Sequence, residues 1–230
     1  MKNLAIIPAR GGSKRIPRKN IKPFLGKPVM AYSIEAAQSC GLFDEIMVST
    51  DDVEIAELAQ SLGASTPFER SLENAGDFST TVDVLFEVLD NYKERGDVFH
   101  RACCIYPTAP FVSGEKLKQA YEVIVEKDLD AVFPAMRFSY PIQRALKLDE
   151  NRRVSMYYPE YQRTRSQDLE PAFHDAGQFY WFHVERLFVN KKLWAPNSSI
   201  IEISQMEGHD IDTLEDWEIA EFKYKSWGVK

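Results

Sequence analysis

Leu4-Ala5-Ile6-Ile7-Pro8-Ala9-Arg10-Gly11-Gly12-Ser13-Lys14-Arg15-Ile16-Pro17-Arg18-Lys19-Asn20 is an apolar run that breaks into a cationic loop with paired glycines. Residues 4–9 have the length and continuous apolarity of a strand buried on both faces. Residues 10–27 then carry seven Lys or Arg and no acid, a quarter of the 28 basic residues in a chain of net charge -7. Such a loop concentrates positive potential where a strand ends, which is where open α/β sheets bind ligands. Gly11 and Gly12 let the backbone turn sharply and bring N–H groups against an anion, and phosphate is the expected one. The loop is neither Gly-x-x-x-x-Gly-Lys-Ser/Thr nor Gly-x-Gly-x-x-Gly, which disfavours a nicotinamide-dependent dehydrogenase.

Working outward, Pro28 suits the first position of a helix whose Met30, Ser33, Ile34 and Ala37 share a face up to Gly41. Residues 45–49 read as a second strand, and Asp51 or Asp52 caps a helix carrying Ile55, Leu58, Ala59 and Leu62. This alternation predicts a mostly parallel sheet covered on both faces. It continues with a helix striped by Val82, Leu85, Phe86 and Leu89, a strand over 102–106, and a helix striped by Leu117, Ala120, Tyr121 and Ile124. Strands follow at 131–134, 178–184 and 200–204, before a last helix opening at Asp212-Thr213. Residues 137–176 depart from the pattern. They are rich in Tyr, Pro and Arg, with a predicted hairpin (144–148 and 154–158) around Asp149-Glu150-Asn151, and are read as an arm on a single domain spanning 1–230.

Composition narrows the function. The 44% apolar and 27% charged residues are ordinary for a soluble protein, and the acidic balance argues against nucleic-acid binding. Cys40, Cys103 and Cys104 have no metal-ligand spacing and suit a reducing compartment. No stretch reaches membrane-spanning length, and the first apolar run is short for a signal peptide, so a cytoplasmic protein with no membrane partner is expected.

Three constellations carry candidate chemistry. Arg10, Lys14 and Lys19, with Arg15 and Arg18 nearby, supply enough long cations to wrap a triphosphate. In an extended segment Asp210 and Asp212 point one way and Ile211 the other, presenting two hard oxygen ligands of the kind Mg²⁺ takes beside phosphate. Asp212 or Thr213 is equally plausible as a helix N-cap with Asp216. Arg163 and Arg165 share a parity and could clamp a second anion such as a carboxylate, or belong to a solvated loop. Arg70 is ambiguous in the same way. His174 beside Asp175 is read as structural.

Residues 7–14 with Pro17, Lys19 and Asn20 resemble the signature loop of the CMP-sugar-acid synthetases, the cytidylyltransferases that activate sialic-acid-like sugars. Val48-Ser49-Thr50-Asp51-Asp52, Pro107-Thr108-Ala109-Pro110, Arg165-Ser166-Gln167-Asp168 and Asp210-Ile211-Asp212 stand in that family's order. Residues 161–168, residues 174–181 and Tyr106 are most similar to the pseudaminic acid cytidylyltransferase branch. Tyr106 replaces the Gln usual in the neuraminic-acid branch, and Asp175-Ala176-Gly177 replaces its Asn-Gly. The resemblance implies a Rossmann-like three-layer α/β/α fold with a dimerisation arm, and hence a homodimer. It implies that Arg10, Ser13, Lys14, Lys19 and Asn20 hold the phosphates and ribose of CTP, with Arg70, Asp77 and Ser79 around the nucleotide. Tyr106, Arg163, Arg165 and Gln178 would face the sugar acid, Asp210 and Asp212 would bind Mg²⁺, and Arg10, Lys19 and Asp212 would carry the catalysis. The implied reaction moves CMP from CTP onto a nine-carbon 2-keto sugar acid, for which neuraminic, legionaminic or 3-deoxy-octulosonic acid are alternatives. A nucleotide-sensing module without chemistry is the reading from another class.

Overall fold

The computed structural model describes residues 2–227; Met1 and 228–230 of the expected 1–230 domain lie outside the described residues. In chain order the elements are β1 (Asn3–Pro8), β2 (Pro23–Phe24), β3 (Lys27–Pro28), α1 (Val29–Cys40), β4 (Glu45–Ser49), α2 (Val53–Ser61), α3 (Leu72–Ala75), α4 (Thr81–Glu94) and β5 (Arg101–Ile105). They continue with α5 (Gly114–Glu126), β6 (Ala131–Arg137), β7 (Leu146–Leu148), β8 (Val154–Met156), β9 (Phe173–Asp175), β10 (Phe179–His183), α6 (Val184–Asn190), β11 (Ser198–Ile203) and α7 (Leu214–Trp227). Pro28 closes β3, one residue before α1, instead of occupying the helix's first turn.

The main sheet runs β11-β6-β10-β5-β1-β4, with β9 on β6. The β1–β4, β1–β5 and β6–β11 pairs are parallel, whereas β10 lies antiparallel between β5 and β6. Successive side chains of a strand point to opposite faces, so β1 feeds two cores. Ala5 and Ile7 pack with Met30 and Ile34 of α1, Ile55 of α2 and Leu117 of α5. Leu4 and Ile6 pack with Leu85, Val88 and Leu89 of α4 and Leu187 of α6. Three layers result. The helices are capped as their sequences allow: Asp52 accepts from Ile55 N at the start of α2, and Thr80 and Asp83 form a capping box on α4. Gly114 lets α5 approach α1, since a Cβ there would lie 2.8 Å from the Cys40 backbone nitrogen.

From β1 the chain moves to β4 on one side and later to β5 on the other. The reversal leaves a crevice beyond the carboxyl ends of β1 and β5, the usual ligand site of a doubly wound sheet. A third apolar cluster joins the two ends of the sequence there. Ile16 and Phe24 from the cationic segment pack with Tyr32 of α1 and with Ile211, Trp217 and Ala220 around the start of α7. The Phe24 ring meets the Trp217 ring edge-on at 5.6 Å.

The arm is partly as expected. β7 and β8 form a separate two-stranded ladder, with Leu146, Leu148 and Val154 exposed. Residues 173–175, expected within the arm, instead pair with β6, because His174 and Asp175 continue into β10 and share its place beside that strand.

Candidate active site

The cationic loop is moulded by the turn after the neighbouring strand. Gly11 N donates to Asp51 Oδ1 at 2.9 Å. Arg18 donates two bonds to Asp52, at 2.5 and 2.9 Å, while Asp52 also caps α2. This bidentate pair is the larger cause holding the Asp52 carboxyl below the usual carboxylate range, against the opposing effect of burial. Gly11 is required by close approach: a Cβ there would stand 2.6 Å from Asp52 Oδ2. Asn20, buried, closes the loop by donating from Nδ2 to the Arg10 carbonyl at 2.8 Å.

Above this loop lies a cleft of about 420 Å³, walled by Arg10, Ser13, Lys14, Arg15, Lys19, Asn20 and Asp77 on one side and Tyr106, Pro107 and Thr108 on the other. Its cations sit on carboxylates. Arg10 reaches Asp77 at 3.1 Å and the Gly76 carbonyl at 3.1 Å, and Lys14 also pairs with Asp77. Arg15 meets Asp212 at 2.7 Å and Lys19 meets it at 3.7 Å. The early loop and the late acidic pair therefore face one another, as the packing of Ile211 against Ile16 and Phe24 requires.

Asp212 is not the helix cap. Thr213 Oγ1 accepts from Asp216 N at 3.2 Å, and Asp216 accepts from the backbone nitrogens of Asp212 and Thr213. The Asp212 carboxylate is thereby left to the cations, with Ile211 buried beneath it at 1% exposure. Asp210 is held above the ordinary carboxylate range, first by burial and then by the charge of Asp212. Lys19 is pushed below the usual lysine range by burial, which outweighs attraction to Asp212 and Asp210. Two mutually repelling hard carboxylates next to the cations of the cleft are of the chemistry that would fit a Mg²⁺ ion. Among the described residues no group of three or more His, Cys, Asp or Glu forms a fuller cage.

Tyr106 sits where β5 leaves the sheet. Its backbone nitrogen donates to the Gln178 carbonyl at 2.8 Å, and its hydroxyl lies 3.1 Å from Thr81 Oγ1. Burial pushes the phenol up to about 12, so it stays a neutral hydrogen-bonding group.

The remaining expected contact residues do not line the cleft. Arg70, 6% exposed, donates from Nε to Ser49 Oγ at 3.0 Å and does not line the cleft, although the charges of Asp51 and Arg10 act on it. Ser79 donates to Asn74 Oδ1 at 3.0 Å, in a neighbouring depression. Gln178 is buried and donates to the Glu207 carbonyl at 2.6 Å, which ties the approach to Asp210 to the head of β10. Arg165 pairs with Asp168 at 2.7 Å on the exposed arm, and neither it nor Arg163 lines the cleft. Sequence reasoning quoted Thr108, Asp51 and Asp52 within motifs of the family's order but gave Thr108 no site role and the two aspartates none beyond helix capping. The contacts of Asp51 and Asp52 to the loop cross between neighbouring strands, and local spacing carries no signal for them.

Residues 4–191 match the cytidylyltransferase family. The chain is 44% identical over 225 residues to the pseudaminic acid cytidylyltransferase of Campylobacter jejuni serotype O:2, covering 98% of this chain and 97% of that protein. It is 32% identical to the CMP-N,N'-diacetyllegionaminic acid synthase of Legionella pneumophila, covering 96% and 95%. A solved structure of CMP:2-keto-3-deoxy-manno-octonic acid synthetase complexed with CTP superposes with a TM-score of 0.71 at 16% identity, covering 98% of this chain and 99% of that one, a likeness of fold. With a crevice at the sheet's switch point, a cation-lined cleft and a family match over most of its length, the chain belongs to the cytidylyltransferases.

Proposed function

We propose that this cytidylyltransferase moves CMP from CTP to the anomeric hydroxyl of a nine-carbon 2-keto sugar acid, pseudaminic acid, releasing pyrophosphate. One observation carries the reading: Arg10, Lys14, Arg15 and Lys19 line a single cleft with Tyr106, and two of them, Arg15 and Lys19, also reach Asp212. The 44% identity to a pseudaminic acid cytidylyltransferase supports the choice of sugar.

Arg10, Ser13, Lys14, Lys19 and Asn20 hold the nucleotide, and the sugar hydroxyl attacks the α-phosphorus in line. Catalysis is then positioning plus charge neutralisation, with Arg10 and Lys19 meeting the charge that builds on departing pyrophosphate. Asp210 and Asp212 would hold Mg²⁺, which when bound supplies further neutralisation at phosphate oxygens. Tyr106 offers the sugar a neutral hydroxyl. Arg70, Ser79 and Gln178 act through the elements they brace. The exposed apolar arm suits a homodimer contact, through which Arg163 and Arg165 of a second copy would reach the sugar carboxylate. Three buried, unpaired thiols suit a cytoplasmic setting.

The test is pyrophosphate release by the purified protein with CTP, Mg²⁺ and a panel of pseudaminic, legionaminic, neuraminic and 3-deoxy-octulosonic acids. Pseudaminic acid should give the highest kcat/KM. Release with none of them would overturn the reading.

A further inference from the structure

Asp77 behaves unlike a ligand group. It is an anion placed on Arg10 and Lys14, two of the cations assigned to the phosphates. Asp77 occupies Arg10 Nη1 and Lys14 Nζ, so a pyrophosphate that draws both side chains onto itself must compete with the carboxylate at those donors.

The segment carrying Asp77 is built to let go. Its flanks are anchored, because Glu87 accepts from Ser71 N, Ser71 Oγ and Asn74 Nδ2, Ser79 binds Asn74, and Thr80 caps α4. Between those anchors the Gly76 carbonyl accepts from Arg10, and the Asp77 carboxylate accepts from Arg10 and Lys14. The next residue, Phe78, is 100% exposed and adds no packing to hold the strap down. The strap's tether is thus the same pair of side chains that the polyphosphate needs.

We propose that Asp77 is a positioning residue for product release: its carboxylate recaptures Arg10 and Lys14 as pyrophosphate leaves, and so keeps pyrophosphate binding weak. This rests on the cleft being the CTP site. It carries a sign opposite to that of a nucleotide-binding Asp77, whose loss would weaken binding.

The experiment titrates inorganic pyrophosphate, CTP and CMP into wild type and Asp77→Asn by calorimetry, with Asp77→Glu as the charge-retaining rescue. Asp77→Asn should tighten pyrophosphate about three- to tenfold, the scale of losing exposed ion pairs to two cations. CMP should change less than about twofold, because its one phosphate need not span both cations. Asp77→Glu should sit near wild type. In steady state Asp77→Asn should show stronger product inhibition by pyrophosphate. Weaker or unchanged pyrophosphate binding in a folded Asp77→Asn protein would overturn the proposal. Wild type binding neither CTP nor pyrophosphate would instead overturn the assignment of the cleft.

Discussion

Replacing Ile211 by Ala tests how the two ends of the chain are locked together. The side chain is 1% exposed and packed in the cluster that contains Ile16, Phe24 and Trp217. Ile to Ala removes three buried carbons, about 2.4 kcal/mol of transfer free energy at about 0.8 each. The cavity left behind brings the expected cost to about 3–4 kcal/mol. For a chain of this size that lowers Tm by roughly 6–16 °C. Ile211→Val should cost about 1 kcal/mol, giving a graded series. The functional consequence follows from geometry: Ile211 is the peg between Asp210 and Asp212, and Asp212 now stands 3.7 Å from Lys19. Slackening that peg should lower turnover at 20 °C by about tenfold or more, since small misplacements at a positioned site cost that much. Urea unfolding followed by fluorescence measures the first quantity, and pyrophosphate release measures the second. Destabilisation below about 1 kcal/mol together with unchanged turnover would refute the claim that this cluster positions the acidic pair.

Gly11→Ala drives a Cβ to within 2.6 Å of Oδ2 of Asp52, a carboxylate held by Arg18 at Oδ2 and by Ile55 N at Oδ1; the KM for CTP should rise about tenfold with the fold retained, by steady-state kinetics and circular dichroism. Because the folded Asp52 carboxyl lies below its unfolded value, its contribution is complete above about pH 4 and is lost as pH falls through the folded value; Asp52→Asn should flatten the acid limb of a stability-against-pH curve there. Lys19→Ala should lower kcat while leaving the KM of the sugar acid nearly unchanged, and an effect on that KM alone would contradict its place beside the leaving group. Arg165→Ala should raise the sugar-acid KM, and an unchanged value would remove the arm arginine from the site.

What could be read from the sequence was what is local. The run before Arg10 and the density of cations after it follow from spacing along the chain; the run forms β1, and Arg10, Lys14, Arg15 and Lys19 from the loop that follows it line the cleft. The stripes of α4 and α5 were legible too, and they line the two cores, because a helix must bury the face that its 3.6-residue period creates. The insertion of β10 between β5 and β6 was out of reach, since a strand's own pattern does not name its neighbours or its direction. The Asp51 and Asp52 clamp on Gly11 and Arg18 was hidden for the same reason: its partners are 34 to 40 residues apart. Arg70 illustrates a third limit. Its spacing leaves it open between a surface cation and a ligand contact, and only tertiary burial against Ser49 removes the surface reading. Helix capping was open between Asp212 and Thr213 until Asp216 chose Thr213, and that choice leaves Asp212 for the cleft.

The most direct test of the central claim is a crystal structure of the protein with CTP. The account expects the triphosphate in the cleft between Tyr106 and the cationic loop, with Arg10 and Lys14 moved from Asp77 onto phosphate oxygens and Lys19 within hydrogen-bonding distance. A nucleotide bound elsewhere, with Arg10, Lys14 and Lys19 still on Asp77 and Asp212, would contradict it.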